Sequence, residues 1–196
     1  MNLPNKLTVS RLFATVIFVL LMVSELPYTK LAALIVFVLA CITDWIDGKL
    51  ARMYNMHTDF GKLMDPLADK ILISSAFITF IERPEVALPS WCVIIIISRE
   101  FAITGLRLLA ASDGKIIPAG FWGKNKTISQ IVAIITILVY LTSIELSLNT
   151  GWYAVPDWMN ALFTYLILIV MIATVFLTVM SGIMYLAKSW HILKEM

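Results

Sequence analysis

The sequence predicts an all-α integral membrane protein, with six transmembrane helices and a short interfacial amphipathic segment at the N-terminus. Three observations predict it. Hydrophobic residues make up 60% of the 196 positions, and mean hydropathy is +0.90, well above a soluble domain. Apolar runs long enough for membrane helices recur along the chain, broken by short polar joints. The cations also sort by side. With six spans, thirteen of the 15 Lys and Arg residues fall on one face and only Lys30 and Arg83 on the other. That bias places both termini in the cytoplasm.

The basic start and first apolar run resemble a signal peptide, but no small-residue cleavage site follows. Residues 5–11 are expected to lie at the interface and residues 12–26 to form the first helix. The second helix, about 30–53, is apolar until Thr43 and then carries Asp44, Asp47, Lys49 and Arg52. The third, about 60–81, has its charges at the start: Lys62, Asp65, Asp69 and Lys70. The fourth, about 88–111, turns polar at Ser98, Arg99, Glu100, Thr104 and Arg107. The fifth, about 124–143, opens on Lys124 and Lys126, and the sixth, about 158–186, leads into Lys188, His191 and Lys194. Trp152, Tyr153 and Trp158 suit the far interface as anchors. Cys41 and Cys92 lie in apolar runs and read as packing residues, not a disulfide framework. No nucleic-acid-binding motif is present.

The chemistry concentrates between Thr43 and Lys70. Asp44 and Asp47 are three apart, and Asp65 and Asp69 are four apart, so each pair shares one helix face. Consecutive helices joined around residues 53–60 would bring the four carboxylates together. Two such charges about 4 Å apart repel by about 4 kcal/mol in a partly buried site, so the group needs positive charge among it. Asp44 lies about 21 Å along its helix at the usual rise, near the inner hydrocarbon boundary. Oxygen-only ligands favour Mg²⁺ or Mn²⁺ over zinc, and paired ions of this kind suit phosphoryl transfer. Gly48 and Gly61 allow close approach of a ligand or, equally, of a neighbouring helix.

Asp44, Asp47, Gly48, Ala51, Arg52, Gly61, Asp65 and Asp69 fit the pattern D-x2-D-G-x2-A-R-x8-G-x3-D-x3-D at every position. The chain thus resembles the CDP-alcohol phosphotransferases. The resemblance implies catalysis at the membrane and a homodimer. It implies that Asp44, Asp47 and Asp65 bind one divalent cation and that Asp44, Asp65 and Asp69 bind a second, with Asp69 also the general base. It implies further that Gly48 and Arg52 hold the CDP group, joined by Thr58 and by Asn5 to Thr8. The segments NLPNKLTVSRL and SREFAITGLRLLAASDGKIIPAGFWGKNKTISQ resemble the bacterial branch that joins CDP-diacylglycerol to glycerol 3-phosphate and releases CMP.

A phosphate-bearing acceptor needs cationic donors. Arg99 and Arg107 lie about 80° apart around one helix and can border one cavity. With Lys124 they form the expected glycerol-phosphate site. Lys115 and Lys126 read instead as positive-inside residues or headgroup contacts, and Glu100 as the partner of a cation. His57 and His191 read as solvated and Asp59 as a helix-start residue. Two rival functions remain open: a sister enzyme with another acceptor, such as inositol phosphate or serine, and an ion transporter. Transporters place carboxylates near the midplane of repeated halves. Here they gather at one face beside cations, and no short repeat is visible.

Overall fold

The computed structural model describes residues 3–54, 59–112, 121–151 and 154–194, with side chains described for 9–44, 68, 70–111, 122–151 and 154–187. Six helices follow one another: α1 (Leu3–Val23), α2 (Thr29–Tyr54), α3 (Asp59–Ile81), α4 (Ser90–Ser112), α5 (Phe121–Thr150) and α6 (Asp157–Lys194). No strand occurs among the described residues. The expected helix centres are all found, and α5 and α6 run several residues beyond their expected bounds at both ends or at one.

The N-terminus departs from expectation. The separate interfacial segment over 5–11 and the helix over 12–26 are replaced by one unbroken helix that ends at Val23. Nothing between Asn5 and Leu12 breaks a helix, and Pro4 sits in the first turn, where its missing N–H costs nothing. The helix stops where Ser24, Glu25 and Pro27 succeed the apolar run.

Helix α1 packs against both α2 and α3. Helix α2 also lies on α5, α3 on α4 and α5, and α6 on α4 and α5. The core between them is built from Phe18 and Met22 of α1, Phe37 of α2, Phe77 and Phe80 of α3, Ile96 of α4, and Ile134, Ile137 and Leu138 of α5. Phe18 and Phe37 meet at 5.9 Å between ring centroids, and Tyr140 stacks on Phe163 at 5.1 Å. Ala33, Ala76 and Ala133 are buried among these rings, where small side chains let helix backbones approach.

The outward faces are apolar too. Leu20, Leu39, Ile78, Ile94, Val132 and Ile169, one from each helix, are all exposed. A surface of this kind suits lipid, not water. Two helical stretches among the described residues, Trp122–Thr150 and Asp157–Ala187, are long and apolar enough to cross a membrane; Val9–Val23 and Lys70–Ile81 are shorter apolar stretches.

The end of the bundle remote from Asp44 is tied by charge. Lys30 Nζ donates to the carbonyls of Met22 (2.9 Å) and Ser24 (2.6 Å), and Arg83 donates to Met22 O as well. These two cations meet the last carbonyls of α1, where the helix dipole favours positive charge. Glu145 of α5 accepts from the backbone N–H groups of Lys30 (2.9 Å) and Leu31 (3.2 Å) and so caps α2 from outside. Glu145→Ala is expected to destabilise the fold by about 1–2 kcal/mol. Thermal unfolding in detergent checks this, with Glu145→Gln falling between the two because it keeps one acceptor.

Candidate active site

Helix α2 carries Asp44, Asp47, Gly48, Ala51 and Arg52, and α3 carries Gly61, Asp65 and Asp69, so each aspartate pair lies on a helix. Helix α3 begins at Asp59. The side chains of Asp47, Arg52, Asp65, Asp69, Asn5 and Thr8 lie outside the described residues, as do Thr58, His57 and Lys115. Asp44 marks where the group sits. Its side chain is 47% exposed and ion-paired with the guanidinium of Arg11, which is nearly buried.

Arg11 is therefore a site residue that the chain pattern did not single out. It is the last cation before the apolar run of α1, and α1 is the element against which α2 and α3 both pack. A long guanidinium at that depth satisfies itself by pairing with a nearby acid.

Asp44 and Arg11 border a cavity of about 190 Å³, which Lys70, Glu100, Lys126 and Gln130 also line. Five helices thus contribute to one pocket at this end, charged at its ends and apolar between, with Ala40, Leu72, Ile73 and Ile131 in its wall. Lys70 directly follows Asp69 in α3. On the α4–α5 side, Lys126 forms an ion pair with Glu100, and Gln130 donates to the same carboxylate at 3.1 Å. Arg99 stands 3.6 Å from it. Glu100 is thus a partner of cations, as its surroundings in the sequence suggested.

Lys126 corrects the sequence reading. It is not a headgroup contact but a buried residue, 4% exposed, in the cavity wall. The reason is helical phase: Lys124 and Lys126 differ by about 200° around α5, so only one of them can face inward. Lys124 is the exposed one and does not line this cavity. Gln130, one turn after Lys126, shares the inward face and holds Glu100 in place.

Arg99 and Arg107 meet α6 rather than the Asp44 cavity. A Cβ on Gly182 would lie 3.3 Å from Arg99 Cγ, and the Arg107 guanidinium lies 5.3 Å from the centre of the Tyr185 ring, within cation–π range. The structure therefore groups Arg99 with Arg107 through α6 and leaves Lys124 apart.

A divalent cation fits what is described here. Asp44 offers a half-exposed carboxylate, and its place is already one that attracts positive charge, as Arg11 shows. Hard oxygen donors of this type match Mg²⁺ or Mn²⁺. Among the described residues, no group of three acidic, His or Cys side chains stands close enough to hold an ion.

Comparison with known proteins gives the family. A family model described as CDP-alcohol phosphatidyltransferase matches residues 1–193. The chain is similar to the CDP-diacylglycerol–glycerol-3-phosphate 3-phosphatidyltransferase of Bacillus subtilis, at 40% identity over 98% of this chain and 97% of that protein. It is similar also to a probable phosphatidylglycerophosphate synthase of Mycobacterium tuberculosis, at 36% identity over 96% of this chain and 81% of the relative. A CDP-diacylglycerol–glycerol-3-phosphate 3-phosphatidyltransferase of Rickettsia bellii matches at 35% over 68% and 72%. With its motif on α2 and α3 and a match over almost its whole length, the chain belongs to the CDP-alcohol phosphatidyltransferase family.

Proposed function

We propose that the protein transfers the phosphatidyl group of CDP-diacylglycerol to glycerol 3-phosphate, giving phosphatidylglycerophosphate and CMP. The observation that carries the reading is the near full-length similarity to relatives bearing that activity in their names. The mixed charge of the Asp44 cavity supports it, because phosphate chemistry needs carboxylates and cations side by side.

The whole chain, residues 1–196, acts as one catalytic domain of six membrane spans. The apolar outer faces on all six helices support that count. The aspartate end faces the cytoplasm of a bacterial cell, on the strength of the cation bias, and two copies form a homodimer, as the family resemblance implies.

Asp69 takes the proton of the glycerol 3-phosphate 1-hydroxyl as that oxygen attacks the β-phosphorus bearing the diacylglycerol. The bond from that phosphorus to the bridging oxygen breaks, and CMP leaves with the electron pair. Gly48 and Arg52 bind the CDP group, with Thr58, Asn5 and Thr8 contributing, and Arg52 holds the charge of the leaving CMP. Arg99 and Arg107 hold the acceptor phosphate, and Lys124, exposed on the outward face of α5, stands outside that group. Two Mg²⁺ or Mn²⁺ ions, held by Asp44, Asp47, Asp65 and Asp69, would offset the diphosphate charge when bound.

Purified protein in detergent, given CDP-diacylglycerol and a panel of acceptors, tests the assignment. CMP should appear with glycerol 3-phosphate and not with serine or inositol phosphate. Preference for another acceptor would move the protein to a sister activity, and absence of CMP with every acceptor would reject transfer altogether. Chelation should stop the reaction and added Mg²⁺ restore it; activity that survives chelation would remove the ions from the account.

A further inference from the structure

Arg11 is brought to Asp44 by the packing of two helices. Arg11 and Phe18 of α1 are seven residues apart, and so are Phe37 and Asp44 of α2. A seven-residue step returns to nearly the same side of a helix. The rings of Phe18 and Phe37 meet at 5.9 Å between centroids, and α1 and α2 pack along each other. That ring contact sets the register at which Arg11 and Asp44, two turns further on, form their ion pair.

The two partners are unlike. The Arg11 side chain is nearly buried, whereas that of Asp44 is half exposed. The guanidinium thus meets the carboxylate from inside the bundle, and the carboxylate keeps an open side. Both residues line the same cavity. Its other acid among the described residues, Glu100, is engaged by Lys126 and Gln130, so the Arg11 charge falls on Asp44.

A carboxylate has lone pairs enough to serve a guanidinium and a divalent ion together. The two cations then repel each other. A unit charge and a divalent ion about 8 Å apart in a partly buried site disfavour one another by about 10³-fold in affinity. Losing a partner that only orients a metal ligand costs about 10- to 100-fold. Charge outweighs orientation.

We propose that Arg11 is a positioning residue that sets how firmly the site holds its divalent ions, weakening their binding by sharing Asp44 with them. The proposal rests on the two-ion reading and extends it to α1, outside the sequence motif. Four aspartates by themselves balance two divalent ions. Arg11 adds a positive charge to that sum, which the diphosphate of the donor then offsets, so that ions and donor favour each other's binding.

Mn²⁺ binding to the purified whole chain in detergent, followed by electron paramagnetic resonance without substrate, tests this apart from turnover. Arg11→Gln is expected to tighten Mn²⁺ binding about 10-fold or more. The rise in melting temperature on adding Mn²⁺ should be larger in this variant than in wild type. Arg11→Lys keeps the charge and should bind Mn²⁺ much as wild type does. Unaltered or weaker Mn²⁺ binding in Arg11→Gln overturns the proposal, and so does equal tightening in Arg11→Lys. Should Arg11→Gln not fold, Arg11→Met, which keeps an apolar stem, is judged by the same outcomes. A wild-type protein that binds no Mn²⁺ would reject the two-ion reading instead, before any variant is compared.

Discussion

Asp69→Asn is expected to lower kcat by about 10³-fold or more while leaving the melting temperature unchanged. Asn has nearly the same shape as Asp but cannot take up a proton, so the acceptor hydroxyl would have to attack while still protonated. General-base catalysis alone is worth about 10²–10⁴-fold. The substitution also removes a negative charge from a crowded acidic group, which relieves repulsion rather than adding strain. Asp69 lies in the interior of α3, so the helix should persist. Turnover of CDP-diacylglycerol with saturating glycerol 3-phosphate and Mg²⁺ measures the effect, and thermal unfolding in the same detergent reports the fold. Near-normal turnover would remove Asp69 as the base. A matched loss of turnover and of stability would instead make it a structural residue.

The Glu100–Lys126 pair should produce the largest stability effect. Glu100→Leu leaves the Lys126 ammonium buried without its carboxylate partner, at an expected cost of about 3–5 kcal/mol. Lys126→Met should cost less, because Glu100 keeps the hydrogen bond from Gln130 and the nearby Arg99. The double substitution Glu100→Leu with Lys126→Met removes both charges and fills the space with apolar groups. It should recover most of the lost stability, as when a buried pair is exchanged for packed side chains. Activity should not recover, because the Asp44 cavity has then lost one of its cations. Unfolding midpoints of the two single variants and the double close the cycle. Strict additivity would show that the two side chains do not depend on each other.

The all-α class, the order of the helices and the position of the aspartates on α2 and α3 were legible in the sequence. Each of these depends on local pattern: hydropathy over a helix length, or spacings of three and four within one helix. The family resemblance came from the same source, since its eight fixed residues lie within 26 consecutive positions, 44–69. The helix boundaries were less legible. Hydropathy marks where oil gives way to polar residues, but a helix continues until its backbone is stopped. Hence α1 absorbs residues 5–11, and α6 runs on to Lys194.

The sequence by itself determined which residue types stand at the aspartate end, and the tertiary structure decided which of them meet. That Arg11 pairs with Asp44, that Lys126 turns inward while Lys124 turns outward, and that Tyr185 stands under Arg107 all depend on how each helix is rotated against its neighbours. In a soluble protein an apolar stripe announces that rotation. Here lipid and protein interior are equally oily, so the helices are apolar on every side and the inward face carries no separate mark. Only packing, and the need of buried charges for partners, fixes the rotation.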